Sequence, residues 1–142
     1  MKILKKSKVV AVSGGFDPLH IGHIRYFKEA KKLGDKLVVI LNSDRFLKDK
    51  KGYIFMAFKE RKELIESIGC VDEVIPCIDK DYTTRETMKK LRPDIAANGG
   101  DRKKGNIPEV DIYERFNIKM VFGVGGKKVR SSSRLIEKIK KV

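Results

Sequence analysis

The chain has 142 residues, 41% of them hydrophobic and 37% charged, with 33 lysines and arginines against 19 acids for a net charge of +14. That length and balance describe one globular domain, 1–142, able to bury a core without staples. They exclude a membrane span, since the apolar runs are only a few residues long.

The basic start, Met1 to Lys8, leads into a strand pattern and not into a signal-peptide core, so the cytoplasm is the expected address. Short β-branched runs predict strands over Lys8–Ser13, Lys36–Asn42, Glu73–Cys77, Asp94–Asn98 and Lys119–Val124. Helical spacing between them predicts helices over 21–33, stopped by Gly34, and over Lys59–Ile68, ended by Gly69. The stretch holding Lys48, Lys50 and Lys51 reads as a basic loop. A third helix, Arg85–Leu91, has a capping box in Thr83-Thr84-Arg85-Glu86 and is closed by Pro93. A fourth, Pro108–Phe116, has Asn106 as its cap, and a last one runs from Ser131 to Lys141 behind a serine cap. Cys70 and Cys77 are too few for a four-ligand zinc site and read as ordinary buried or half-buried thiols. Alternating strands and helical crossovers argue for an α/β fold with a parallel sheet covered on both faces and ligands outside the carboxyl ends of its strands.

Those strand ends carry the chemistry. Both histidines, His20 and His23, lie behind Gly14-Gly15-Phe16-Asp17-Pro18-Leu19, at the entrance of the first helix. Unpaired N–H groups and the positive end of the dipole make such an entrance an anion site. The imidazoles add donors for phosphate oxygens, and Gly22 would let a nucleotide lie against the backbone. A pair of histidines that merely caps the helix is the bland alternative. Gly99-Gly100, and Gly123 with Gly125-Gly126, fall on the same predicted rim. The positive charge suits nucleoside triphosphates, phosphorylated metabolites or nucleic acid. A nucleic-acid module is disfavoured: no RNP stretch, helix-turn-helix pattern or zinc ligand set is present, and only four tyrosines and no tryptophan offer stacking surfaces.

The segment from Gly14 to His23 resembles the nucleotidyltransferase superfamily that carries the H-x-G-H signature, and Arg130-Ser131-Ser132-Ser133 resembles its second signature, which starts the last helix. Similarity covers nearly the whole chain for two branches, glycerol-3-phosphate cytidylyltransferase and the adenylyltransferase that activates a heptose 1-phosphate. The stretch from Arg92 to Asp101 tilts towards the second. The resemblance implies a single Rossmann-like domain with a five-stranded parallel sheet in the order 3-2-1-4-5 and helices on both faces. It implies attack of an acceptor phosphate on the α-phosphorus of a nucleoside triphosphate, with pyrophosphate expelled and Mg²⁺ held mainly by the triphosphate rather than by protein ligands.

Carried over by position, His20, His23 and Lys50 become the catalytic set. Gly14, Gly15 and Phe16 join the histidines around the nucleotide, Gly99, Gly100 and Asp101 line the base and ribose pocket, and Arg130, Ser131, Ser132 and Ser133 hold the distal phosphates. Asp17, Lys50 and Arg61 face the acceptor. ATP is the favoured donor and a sugar or polyol phosphate the favoured acceptor, with CTP and a glycerol-3-phosphate-type acceptor as the alternative. A non-catalytic nucleotide-binding or nucleic-acid-binding protein is the reading from another class. A membrane is not an expected partner, nucleic acid is disfavoured, and a homodimer stays open.

Overall fold

A computed structural model describes residues 7–100, 107–126 and 132–140. Five strands, β1 (Val9–Gly14), β2 (Lys36–Leu41), β3 (Glu73–Pro76), β4 (Ile95–Ala97) and β5 (Lys119–Val121), form one sheet in the order β3-β2-β1-β4-β5, every pair parallel. Six helices, α1 (Ile21–Lys31), α2 (Asp44–Lys51), α3 (Phe58–Glu66), α4 (Arg85–Leu91), α5 (Val110–Arg115) and α6 (Ser132–Lys140), connect or follow them. The fold class and sheet order are those expected. Topology reverses between β1 and β4, the place where such sheets open a crevice at their carboxyl ends.

Alternation along the strands builds two cores. Val10 and Val12 of β1, with Leu37, Val39 and Leu41 of β2, pack under Phe27 and Ala30 of α1 and Ile65 of α3. Ala11, Ile40 and Ala96 face the other way, onto Met88 of α4 and Ile112 and Tyr113 of α5. Because both faces are covered, β2 is apolar and buried at every position from Leu37 to Leu41.

Three expectations need correction. The basic loop is the helix α2, capped by Ser43, whose Oγ accepts from Phe46 N at 3.1 Å, and closed by Gly52 in a left-handed conformation at φ 83°. It escapes apolar periodicity because Leu47 is its one buried residue. The box at Thr83–Glu86 does not form. The side chain of Asp79 takes its place, accepting from Glu86 N at 2.6 Å and Thr87 N at 3.0 Å. At α5 the N-cap is Glu109, whose carboxylate instead accepts from Thr84 N and Oγ1 at 2.8 and 2.9 Å; Asn106 lies outside the described residues. Both cysteines are free and half-buried, as expected, and burial pushes the Cys77 thiol above its usual range.

Candidate active site

The β1–α1 turn is built around two imidazoles that cap the helix and each other. His20 Nδ1 accepts from Gly22 N at 3.0 Å, His23 Nδ1 accepts from His20 N at 3.2 Å, and the rings stack at 3.7 Å between centroids. With Nδ1 accepting in both rings, the neutral tautomer carries its proton on Nε2, so each histidine is a cap through one nitrogen and a donor through the other. Capping and phosphate binding are therefore compatible roles. Gly22 also has a structural reason: a Cβ there would come within 2.9 Å of His20 Cε1, so the missing side chain makes room for the imidazole. Phe16, at a positive φ of 50°, wedges its ring edge-on to His23 at 4.9 Å and Phe27 at 5.0 Å, which fixes the His23 ring from behind. Gly14 and Gly15 accept the packing of Phe16 and Leu47, whose atoms a Cβ would meet at 2.9 and 2.4 Å.

Two residues expected at the acceptor, Asp17 and Arg61, form the frame of this turn. Asp17 is fully buried, and its two carboxylate oxygens accept from Phe55 N and Met56 N, each at 2.7 Å. Arg61, its side chain 0% exposed, donates to Met56 O, Gly15 O, Asn42 O and Asp44 Oδ1 at 2.7 to 2.9 Å. Together they clamp the backbone at 55–56 to the carboxyl ends of β1 and β2. Both side chains therefore spend most of their hydrogen-bonding groups inside the turn.

Lys50 lies on a helix and not on the loop expected. It stands on α2 over the exposed Tyr82 ring at 5.4 Å, turned towards the β3–α4 connection. Its neighbour Lys51 is the lysine at the turn, donating to Asp17 O at 3.2 Å. Burial pushes the Lys51 ammonium below its usual range; Asp17 counters this and Arg61 adds to it. The Ser43 cap and Gly52 stop were the sequence signals that would have placed α2, and with it Lys51, correctly.

The other carboxyl ends close on the same rim. Ser132, the first residue of α6, donates its hydroxyl to Pro18 O at 2.8 Å, joining positions 114 residues apart. Tyr26, one turn beyond His23 on α1, donates to Ala97 O at the end of β4, a contact with no sequence signal. A Cβ on Gly125, at φ 88°, would meet the Tyr26 Cα at 3.0 Å, and one on Gly100 would meet Gly126 O at 3.0 Å, so glycines let the β4 and β5 loops meet beside α1. Of the expected site residues, Gly14, Gly15, Phe16, His20, His23, Gly99, Gly100 and Ser132 belong to these strand ends and helix entrances. Asp101, Arg130 and Ser131 lie outside the described residues, and Ser133 is described in its backbone alone.

A doubly covered parallel sheet whose reversal point carries glycine turns, helix entrances and convergent donors defines a nucleotide-handling α/β domain. The profile of the cytidylyltransferase-like family matches residues 11–136. A bifunctional protein HldE from Syntrophotalea carbinolica is 36% identical over 135 residues, covering 92% of this chain and 26% of the relative. An FAD synthase from Thermococcus sibiricus is 42% identical over 100 residues, covering 69% of this chain and 67% of the relative. Among solved structures, the lipopolysaccharide core biosynthesis protein from Thermoplasma volcanium superposes with a TM-score of 0.70 at 32% identity, covering 82% of this chain and 96% of that one. The chain belongs to the cytidylyltransferase-like family and is of the nucleotidyltransferase class. It spans about a quarter of the length of the HldE relatives. No helix among the described residues is long and apolar enough to cross a membrane.

Proposed function

We propose that the chain transfers a nucleoside monophosphate, with ATP as the favoured donor, to a phosphorylated sugar or polyol. An oxygen of the acceptor phosphate attacks the α-phosphorus, the bond from that phosphorus to the bridging oxygen breaks, and pyrophosphate leaves. The observation that carries this reading is the Ser132–Pro18 hydrogen bond, which sets the entrance of α6 against the turn holding His20 and His23. Two anion-attracting helix ends then serve one polyphosphate. The Nε2–H groups of His20 and His23 donate to phosphoryl oxygens as charge grows on them, and the Lys51 ammonium adds charge from α2. Little proton transfer is required, so positioning and charge stabilisation suffice.

Among the described residues no three His, Cys, Asp or Glu side chains group to hold a metal ion, and both oxygens of Asp17 are taken up by backbone N–H groups. This donor set would suit Mg²⁺ held mainly by the triphosphate, where the ion would supply positive charge for the departing pyrophosphate. The likeness to an FAD synthase adds FMN to the acceptors to be tried, below the sugar and polyol phosphates. Pyrophosphate release from each of four nucleoside triphosphates, measured against heptose and hexose 1-phosphates, glycerol 3-phosphate and FMN, tests the reading. ATP with a sugar phosphate is the expected pair, CTP with glycerol 3-phosphate is the alternative, and release with no pair removes the proposal. Excess EDTA should abolish turnover, and full turnover in EDTA would contradict the place given to Mg²⁺.

A further inference from the structure

We propose that Asn98 reads the exocyclic amine of the nucleotide base, so that the site accepts amino bases and rejects their oxo counterparts. This rests on the nucleotidyl-transfer reading for the location of the base.

Asn98 directly follows β4, beside the point where the strand order reverses. Its backbone is fixed on both sides, the N–H donating to Val121 O at 2.7 Å and the carbonyl accepting from Val124 N at 3.0 Å. Its side chain has only one sensible orientation. Nδ2 donates to Ala96 O at 3.2 Å and Val121 O at 3.3 Å; both partners are carbonyl oxygens, so exchanging the amide nitrogen and oxygen would set lone pairs against lone pairs. The donor end is thereby committed to the sheet and Oδ1 is turned away from it. None of the described residues donates to that oxygen, and the residue is half-buried.

Residues without side chains surround Asn98. Gly99 and Gly100 follow it, Gly126 O lies against Gly100, and Gly125 lies against Tyr26, whose hydroxyl holds the adjacent Ala97 O. Tyr26 is one turn along α1 from His23. On the nucleotidyl-transfer reading, a nucleotide with phosphates at the histidines lays its base towards this glycine-lined end of the rim. An acceptor held there bonds the 6-amino group of adenine or the 4-amino group of cytosine. A 6-oxo or 4-oxo group opposes it with a second lone pair.

The test is equilibrium binding of ATP, its analogue lacking the 6-amino group (purine riboside triphosphate) and its 6-oxo analogue (inosine triphosphate) to the full chain and to Asn98→Ala. The wild type should bind in the order ATP, purine analogue, inosine triphosphate, with about tenfold to a hundredfold between first and last. Asn98→Ala should bring the three together. If the alanine variant does not fold, Asn98→Ser, which keeps a small polar side chain, gives the same comparison. Equal binding of ATP and inosine triphosphate by the wild type, or an unchanged preference in a folded variant, overturns the proposal. An Asn98-dependent preference without pyrophosphate release from any acceptor would keep the base reading and remove the transfer reading. Release with an unchanged preference would do the reverse, and no binding of any nucleotide would remove both.

Discussion

The two ends of this sheet use charge in opposite ways. At the amino ends of the strands, carboxylates close the backbone: Asp35 accepts from Lys8 N, Asp94 from Val9 N and Asp72 from Leu37 N, at 2.7 to 2.8 Å. At the carboxyl ends the described turns offer imidazoles, hydroxyls, glycines and backbone N–H groups, and the acids among them are engaged: Asp44 pairs with Arg61, Asp79 caps α4 and Asp81 accepts from Thr83. The acid inside the first turn, Asp17, is buried with both oxygens occupied. On the proposed function this engagement matters, because an unpaired carboxylate at the rim would repel a polyanion, whereas a paired or capping one, like those beneath the sheet, stabilises the fold. Substitutions at the carboxyl rim should therefore change catalysis first, and substitutions at the amino rim should change stability alone.

The largest effect expected is at the histidines. Removing either as His20→Ala or His23→Ala should lower kcat roughly a hundredfold to a thousandfold, with triphosphate binding weakened far less. Since both rings also cap α1, alanine should cost about 0.5–2 kcal/mol of stability as well. His20→Asn separates the roles: it keeps a cap acceptor without the Nε2 donor, so its melting temperature should stay close to wild type while kcat falls. Recovery of kcat in that variant would show that the motif serves only as a cap.

Next comes Arg61, which belongs to the rim by position and to the scaffold by burial. Arg61→Met keeps the stem but leaves Gly15 O and Asn42 O without their donor and Asp44 without its partner, a loss of about 2–4 kcal/mol in denaturant unfolding. A smaller change is expected from the paired lysines of α2. Lys51→Ala should raise KM for triphosphate or acceptor, or lower kcat, by about tenfold, and Lys50→Ala should stay near wild type in steady-state kinetics. The opposite ranking would restore Lys50 to the site.

The smallest effect sharpens the contrast from below. Bonds from Lys31 and from Leu37 N hold the Asp72 carboxyl below its usual range, so its contribution is present above the ordinary carboxylate range and is lost as pH falls through the lowered value. Asp72→Asn should cost about 0.2–1 kcal/mol near neutral pH, the gap to wild type closing in acid, with kcat unchanged. A kcat loss there would break the division between the two ends.

Much of the architecture was legible because it follows from local rules. Strand positions followed from β-branched runs, and α1 from apolar spacing ahead of Gly34. Less visible was α2, since eight residues carrying one buried side chain leave no periodic trace. The capping box at Thr83 looked sound locally, yet Asp79, held in place by the β3–α4 connection, supplies the acceptor. The histidine pair was readable because its chemistry lies within four residues of one another, while the fates of Asp17 and Arg61 were not.

By itself the sequence determined the α/β class, the sheet arithmetic and the turn where the two histidines and the glycine pair gather, because hydrophobic period, caps and glycine turns act over a few residues. Only the tertiary structure decided which charged side chains are buried. Asp17 meets the N–H groups of Phe55 and Met56, and Arg61 meets carbonyls of Gly15 and Asn42, only when the ends of β1 and β2 and the start of α3 come together. A buried charge must find its hydrogen-bond partners wherever the fold brings them, and those partners are far away in the chain.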